Sequence, residues 1–157
     1  IPPLIWYLRK AFPVFVGKKE LGKGIPSISF NLKYGGAVLI DRKNPKKALK
    51  DIKAFGERLV MTNGSVVIFP EGTRSNGAKP RAFQFGGIKQ LINAMPQAKL
   101  VGITINNSWK LSRNGYFPMG TGAKIKIKMH PPVNLPSYQV LETLEQLEKT
   151  IIADINS

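Results

Sequence analysis

Val66-Val67-Ile68-Phe69-Pro70-Glu71-Gly72-Thr73-Arg74-Ser75 passes from four consecutive apolar residues into a short polar loop. A continuous apolar run of this length, with no alternation, is how a buried strand of a parallel sheet reads. Asn63-Gly64 ahead of it stops a preceding helical pattern. In α/β sheets, ligands lie beyond the carboxyl ends of the strands. The residues after Phe69 therefore stand where chemistry is expected.

Working upstream, Leu49, Ile52, Phe55 and Leu59 recur at helical spacing from Pro45, with Lys46, Lys50 and Lys53 on another face. Ala37 to Ile40 is an apolar strand closed by Asp41-Arg42. Pro26 to Tyr34 reads as a helix ended by Gly35-Gly36. Pro13 to Val16 reads as a short buried strand, and Pro2 to Lys10 as a short helix with proline early.

Downstream, Gly87 to Met95 predicts a helix stopped by Pro96, and Leu100 to Ile105 a strand. Lys124 to Met129 alternates strictly, with Ile125, Ile127 and Met129 on the face expected to meet the core. Ser137 is placed to cap a final amphipathic helix carrying Val140, Leu141, Leu144, Leu147 and Ile151. The pattern predicts an α/β fold in a single domain over residues 1–157. Its sheet is expected to be mixed, largely parallel and covered by helices. There are no internal repeats and no evident linker.

The 157 residues are enough to bury a core, and 43% hydrophobic with 21% charged residues is a globular composition. The absence of cysteine removes disulfides, thiolate metal clusters and thiol catalysis. Twenty-four Lys and Arg against nine acids give a net charge of +15, which attracts nucleic acid, anionic lipid or acidic carrier proteins. Every apolar stretch is interrupted by Lys, Gly or Pro, so no bilayer-spanning run is seen. The start at Ile1-Pro2-Pro3, without methionine, reads as a cut chain.

Two strand ends carry arginine: Asp41-Arg42, and Glu71-Gly72-Thr73-Arg74. A guanidinium grips phosphate bidentately, and a Gly-Thr step lets backbone N–H groups and a hydroxyl approach the same anion. Glu71, ionised beside these cations, would accept hydrogen bonds from substrate hydroxyls or orient an arginine. Taken alone, Glu-Gly-Thr-Arg reads more readily as a salt-bridged loop; its place after a strand, with a second Arg at a neighbouring strand end, reverses that in favour of a phosphate site.

Gly17-Lys18-Lys19-Glu20-Leu21-Gly22-Lys23-Gly24 nearly spells a P-loop. It lacks the Ser or Thr after the lysine, and Ile25-Pro26 follows where a helix should begin, so the nucleotide reading fails. His130, the single histidine, precedes Pro131-Pro132 and has no nearby acid in sequence to orient it. It is expected to be structural or exposed rather than a general base.

Phe69 to Ser75 resembles the third signature of the glycerolipid acyltransferases, the family that includes 1-acyl-glycerol-3-phosphate acyltransferase. Lys18-Lys19-Glu20-Leu21 with Ile25-Pro26 is similar to the family's Lys-x-Glu-Leu segment. Gly36 to Arg42 resembles the second signature, and Leu100 to Ile105 the fourth, with Gly102 where the family carries proline. The first signature, a His and an Asp separated by four residues, is absent from the chain. Its family spacing would put the Asp at or just before Ile1, so the catalytic pair is expected upstream and the chain alone inactive.

The resemblance implies a glycerol-3-phosphate acyltransferase-like fold. It implies acyl transfer from acyl-CoA or acyl-carrier protein to a hydroxyl of a lysophospholipid or glycerol phosphate, without cofactor or metal. Arg42, Arg74 and Lys18 would hold the acceptor's phosphate, with Glu71, Gly72 and Thr73 shaping that pocket. The partner surface would be an anionic membrane, at the cytoplasmic face of a bacterial inner membrane, with the helix lysines and the Lys124, Lys126, Lys128 row as its basic face. Two other readings stay open. One is a non-catalytic basic module binding anionic lipid or nucleic acid, though aliphatic rather than aromatic residues between the lysines disfavour nucleic acid. The other is a lipid-binding relative without the catalytic pair.

Overall fold

The computed structural model describes residues 2–22, 30, 32, 34–72, 80–112, 121–135 and 139–155. The chain divides into two compact units, Ile1–Pro70 with Phe85–Pro96, and Glu71–Gln84 with Gln97–Ser157. Among the described residues no helix is long and apolar enough to cross a membrane.

The first unit is built on a parallel sheet of three strands, β1 (Pro13–Lys18), β2 (Val38–Ile40) and β3 (Ser65–Val67), in the order β2-β1-β3. Val16 pairs with Val38 and Lys18 with Ile40, while Pro13 pairs with Ser65. Proline is tolerated there because it opens the strand. Central β1 buries Phe15, Val16 and Gly17. β3 is shorter than the apolar run Val66–Phe69 predicts, and it is half-buried rather than buried. Among the described residues it has a neighbouring strand on one side only; Phe69, beyond its end, stacks on Phe15 at 6.5 Å.

A short helix α1 (Pro2–Tyr7) and a 3-10 turn (Arg9–Ala11) precede β1. The helix predicted over 26–34 falls largely outside the described residues; Phe30, Leu32 and Tyr34 are helical. Helix α2 (Pro45–Met61) carries the chain from β2 past β1 to β3. Asn44 caps it, its Oδ1 accepting the Lys47 N–H at 3.1 Å, with Pro45 in the first helical position. It ends where Asn63 turns left-handed (φ 49°) and the Gly64 N–H returns to the Leu59 carbonyl at 3.0 Å. α2 presents Ala48, Ile52, Phe55 and Leu59 to a core shared with Val16, Ile40, Leu91 and Met95. Leu91 belongs to α3 (Phe85–Ala94). Gly56 lets the two helices close: a Cβ built on it would lie 2.8 Å from the Ala94 Cβ.

The second unit holds an antiparallel ribbon, β4 (Ile103–Asn106) with β5 (Lys126–Met129), and helix α4 (Val140–Ile155). Parallel and antiparallel pairings thus both occur, but in two sheets. Ahead of β4, Leu100 bridges Val133, and the Gly102 carbonyl accepts the His130 N–H at 2.9 Å. Ser137, the expected cap of α4, lies outside the described residues. Leu144 and Ile151 are the buried residues of α4, while Leu141 is exposed.

The ribbon corrects one expectation. Ile125, Ile127 and Met129 were expected to face the core, yet each is 36–39% exposed. The opposite face, where Thr104 pairs with Lys128 and Asn106 with Lys126, is the one α4 engages. The physical reason is polar pairing. Asn106 donates to the Asp154 carbonyl at 2.7 Å, and Lys128 reaches the Asp154 carboxylate at 2.7 Å. Lys128, exposed in the lysine row, is thus paired with the Asp154 carboxylate.

Candidate functional site

Because all three strands of the first unit run parallel, their carboxyl ends share one edge. Lys18 closes β1 beside Ile40, and Arg42 lies two residues past Ile40 on the adjacent strand. The parallel register thus brings two of the expected phosphate-binding cations to one edge. Lys18 Nζ pairs with Glu20 Oε1 at 3.2 Å, both half-exposed. The Glu20 carboxyl is held below its ordinary value, first by a backbone hydrogen bond and then by Lys18.

Asp41 has a role that the sequence reading did not assign. Its Oδ1 accepts the Lys43 N–H at 2.9 Å, and its carbonyl accepts the Asn44 N–H at 3.1 Å. This is an Asx-turn, a side-chain mimic of a backbone turn, and it leads straight into the capped start of α2. It leaves Arg42 exposed at the tip. Among the described residues no acid pairs with Arg42. Lys19 Nζ lies 4.0 Å from Asp41 Oδ2, at the outer limit of an ion pair. The Asp-Arg pattern therefore divides its labour: the aspartate shapes the turn and the arginine is offered outward.

Glu71 and Gly72 are described with the second unit, and Thr73 and Arg74 lie outside the described residues. Glu71 Oε2 accepts the Arg81 N–H at 3.2 Å. Two residues on, the Phe83 N–H donates to Glu148 Oε1 on α4 at 2.9 Å. Gly72 takes φ +68°, a left-handed conformation that glycine adopts without strain. Glu71 thus holds the backbone at Arg81.

Over its described residues, 17–22, the near-P-loop forms no phosphate cradle. Gly17 and Lys18 belong to β1, and Lys19–Gly22 forms a single 3-10 turn. His130 is 7% exposed, with its Nε2 sharing a hydrogen bond with Thr104 Oγ1 at 2.8 Å and lying 3.3 Å from Asp154 Oδ2. Both partners hold it within the second unit, so of the two expectations the exposed one fails and the histidine is buried. Gly102, the departure from the family's proline, has a packing reason. A Cβ there would meet Leu147 Cδ1 at 2.7 Å and Ile151 Cδ1 at 3.2 Å.

A family model described as Acyltransferase matches residues 2–106, two-thirds of the chain. The chain belongs to the acyltransferase family. Among its relatives, the 1-acyl-sn-glycerol-3-phosphate acyltransferase of Helicobacter pylori is 36% identical over 62% of this chain and 40% of its own length. That of Salmonella typhimurium is 33% identical over 80% of this chain and 49% of its own. That of Borreliella burgdorferi is 26% identical over 85% and 52%. This acyltransferase chain therefore spans about half the length of these relatives. The crystal structure of the 1-acyl-sn-glycerophosphate (LPA) acyltransferase PlsC from Thermotoga maritima superposes with a TM-score of 0.63 at 21% identity. It covers 92% of this chain and 56% of that one, a likeness of fold.

Proposed function

We propose that the chain is the acceptor-binding part of a 1-acyl-sn-glycerol-3-phosphate acyltransferase domain. The reaction moves a fatty acyl group from acyl-CoA or acyl-carrier protein to a free hydroxyl of lysophosphatidic acid or a related glycerophospholipid. A base takes the hydroxyl proton, the oxygen attacks the thioester carbonyl, and the C–S bond breaks to release a thiol that regains a proton. The acceptor phosphate is held by Lys18, Arg42 and Arg74, with Glu71, Gly72 and Thr73 forming the loop around it. The site works at the cytoplasmic face of a membrane, in bacteria the inner one.

The observation that carries this reading is Arg42. It stands exposed and without an acidic partner among the described residues, beside Lys18 at the carboxyl edge of a parallel sheet in a chain of this family. The single histidine supports the division of roles, since Thr104 and Asp154 hold His130 in a buried site. By family resemblance the base is the histidine of a His/Asp pair ahead of the Lys-x-Glu-Leu segment, and the 157 residues alone are inactive.

The test is kinetic, in the protein carrying that pair. Charge-assisted hydrogen bonds are worth about 1.5–3 kcal/mol, so Arg42→Ala is expected to raise the acceptor KM about ten- to a hundredfold. The donor KM should stay where it is. An unchanged acceptor KM removes Arg42 from the phosphate site, and turnover by the 157 residues alone removes the need for an outside base.

A further inference from the structure

We infer that Glu148, in the middle of α4, is a positioning residue for acceptor binding, acting on Glu71 through the backbone of Arg81 and Phe83. The Phe83 N–H donates to Glu148 Oε1 at 2.9 Å, and the Arg81 N–H donates to Glu71 Oε2 at 3.2 Å. All four residues belong to the second unit. Two residues of chain span at most about 7 Å, so a displacement at one of these amides is passed to the other over a short tether. A shift of the backbone at Phe83 therefore reaches the amide that fixes the Glu71 carboxylate. Glu148 lies beyond residues 2–106, the part that the family model matches.

The residue type at 148 points the same way. Leu144 and Ile151 set the buried face of α4, and Glu148 falls between them, four residues after one and three before the other. Helical spacing favours an apolar residue at such a position. Glu142 and Glu145 stand exposed on α4, whereas Glu148 is half-buried. Packing does not explain a carboxylate there, and neither does ion pairing. The chain carries twenty-four Lys and Arg, yet among the described residues no ion pair includes Glu148. A half-buried carboxylate needs a donor, and this one takes a backbone N–H 65 residues away in sequence.

Glu71 gives the contact its consequence. Its Oε2 is gripped by a backbone amide, and a carboxylate held at one oxygen presents the other in a defined direction. Binding groups work only when contacts behind them hold them near their productive geometry. Glu148 supplies such a contact from a separate helix. The role of Glu71 toward the acceptor rests on the proposed function, while the bonds at Phe83 and Arg81 stand without it.

The test uses the protein carrying the His/Asp pair. Glu148→Met keeps a side chain of similar length and removes the acceptor; Glu148→Gln keeps a side-chain oxygen and removes the charge. Glu148→Met is expected to raise the acceptor KM about three- to tenfold, the equivalent of one lost hydrogen bond, with the donor KM unchanged. Amide hydrogen exchange should quicken at both Phe83 and Arg81. Glu148→Gln should bring both readouts back near the parent. Glu148→Asp, one methylene shorter, should repeat the methionine result more weakly and serves if methionine is not accommodated. Exchange that quickens at Phe83 alone overturns the inference, and so does an acceptor KM that moves no more than the donor KM. Equal damage by glutamine would assign the effect to charge and overturn it as well. A raised acceptor KM in Arg42→Ala beside an unchanged one in Glu148→Met sinks the role of Glu148 alone. The reverse keeps Glu148 and fails the Arg42 assignment of the proposed function.

Discussion

Thr104 Oγ1 and His130 Nε2 meet at 2.8 Å inside the second unit, across two paired strands, with Asp154 Oδ2 3.3 Å from the same ring nitrogen. Lys128 reaches both Asp154 oxygens, at 2.9 and 2.7 Å, so the cluster fastens α4 to the ribbon. Thr104 is 1% exposed, which makes loss of its partner costly.

His130→Ala and Thr104→Val are therefore expected to lower stability by about 1–3 kcal/mol, the cost of leaving a buried polar group unsatisfied. The denaturant midpoint should fall with little change in slope. Transfer per folded molecule, in a protein carrying the His/Asp pair, should stay near the parent value. A loss of several orders of magnitude at constant folded fraction would make His130 the base.

The difference between legible and illegible parts has a physical origin. Helix α2 was readable because Ile52, Phe55 and Leu59 recur with the helix's own period and are buried. The Asp-Arg strand end was readable because a parallel sheet puts its carboxyl ends together. The face of β5 was misread because alternation reports two chemically different faces without saying which one a helix will cover. Asp154 supplies the decision, and it lies 26 residues from Lys128. Gly102 and Gly56 were silent for a similar reason. Each is explained by a side chain from another element, Leu147 for one and Ala94 for the other.

Asp41 is a positioning residue for Arg42, and two substitutions separate shape from charge. Asp41→Ala removes the acceptor of the Lys43 N–H, so the acceptor KM should rise severalfold, less than in Arg42→Ala. Asp41→Asn keeps a side-chain oxygen and the Asx-turn, and it removes a negative charge near the proposed phosphate. Its acceptor KM should equal or fall below the parent's. Equal damage by Ala and Asn would mean that the charge matters and the turn does not.

Gly56→Ala sets two effects against each other. Alanine gains about 1 kcal/mol of helix propensity over glycine. The added Cβ would stand 2.8 Å from the Ala94 Cβ, an atom fixed to its helix and unable to swing aside. Overpacking of this kind costs about 1–3 kcal/mol, so net destabilisation is expected in a denaturant titration. Ala94→Gly combined with Gly56→Ala should recover part of the loss, a coupling that a double-mutant cycle measures. A single variant more stable than the parent would show that the helices separate at little cost.

Glu20 offers a pH test at the carboxyl edge. Its folded value lies below the ordinary carboxylate value, so its contribution to stability is present above the unfolded value and is lost as pH falls through the folded one. The side chain is exposed, and the effect belongs to acid pH alone. Because a backbone hydrogen bond is the first cause and Lys18 the later one, Lys18→Met should raise the Glu20 midpoint only part of the way back. Following the Glu20 side-chain carboxyl by NMR through an acid titration reads this directly. Full return to the ordinary value in Lys18→Met would put the ion pair ahead of the backbone bond. Inorganic phosphate drawing Lys18 away from Glu20 should shift the midpoint in the same upward direction. That response would tie the pair to anion binding at this edge, and its absence at saturating phosphate would separate Lys18 from the acceptor site.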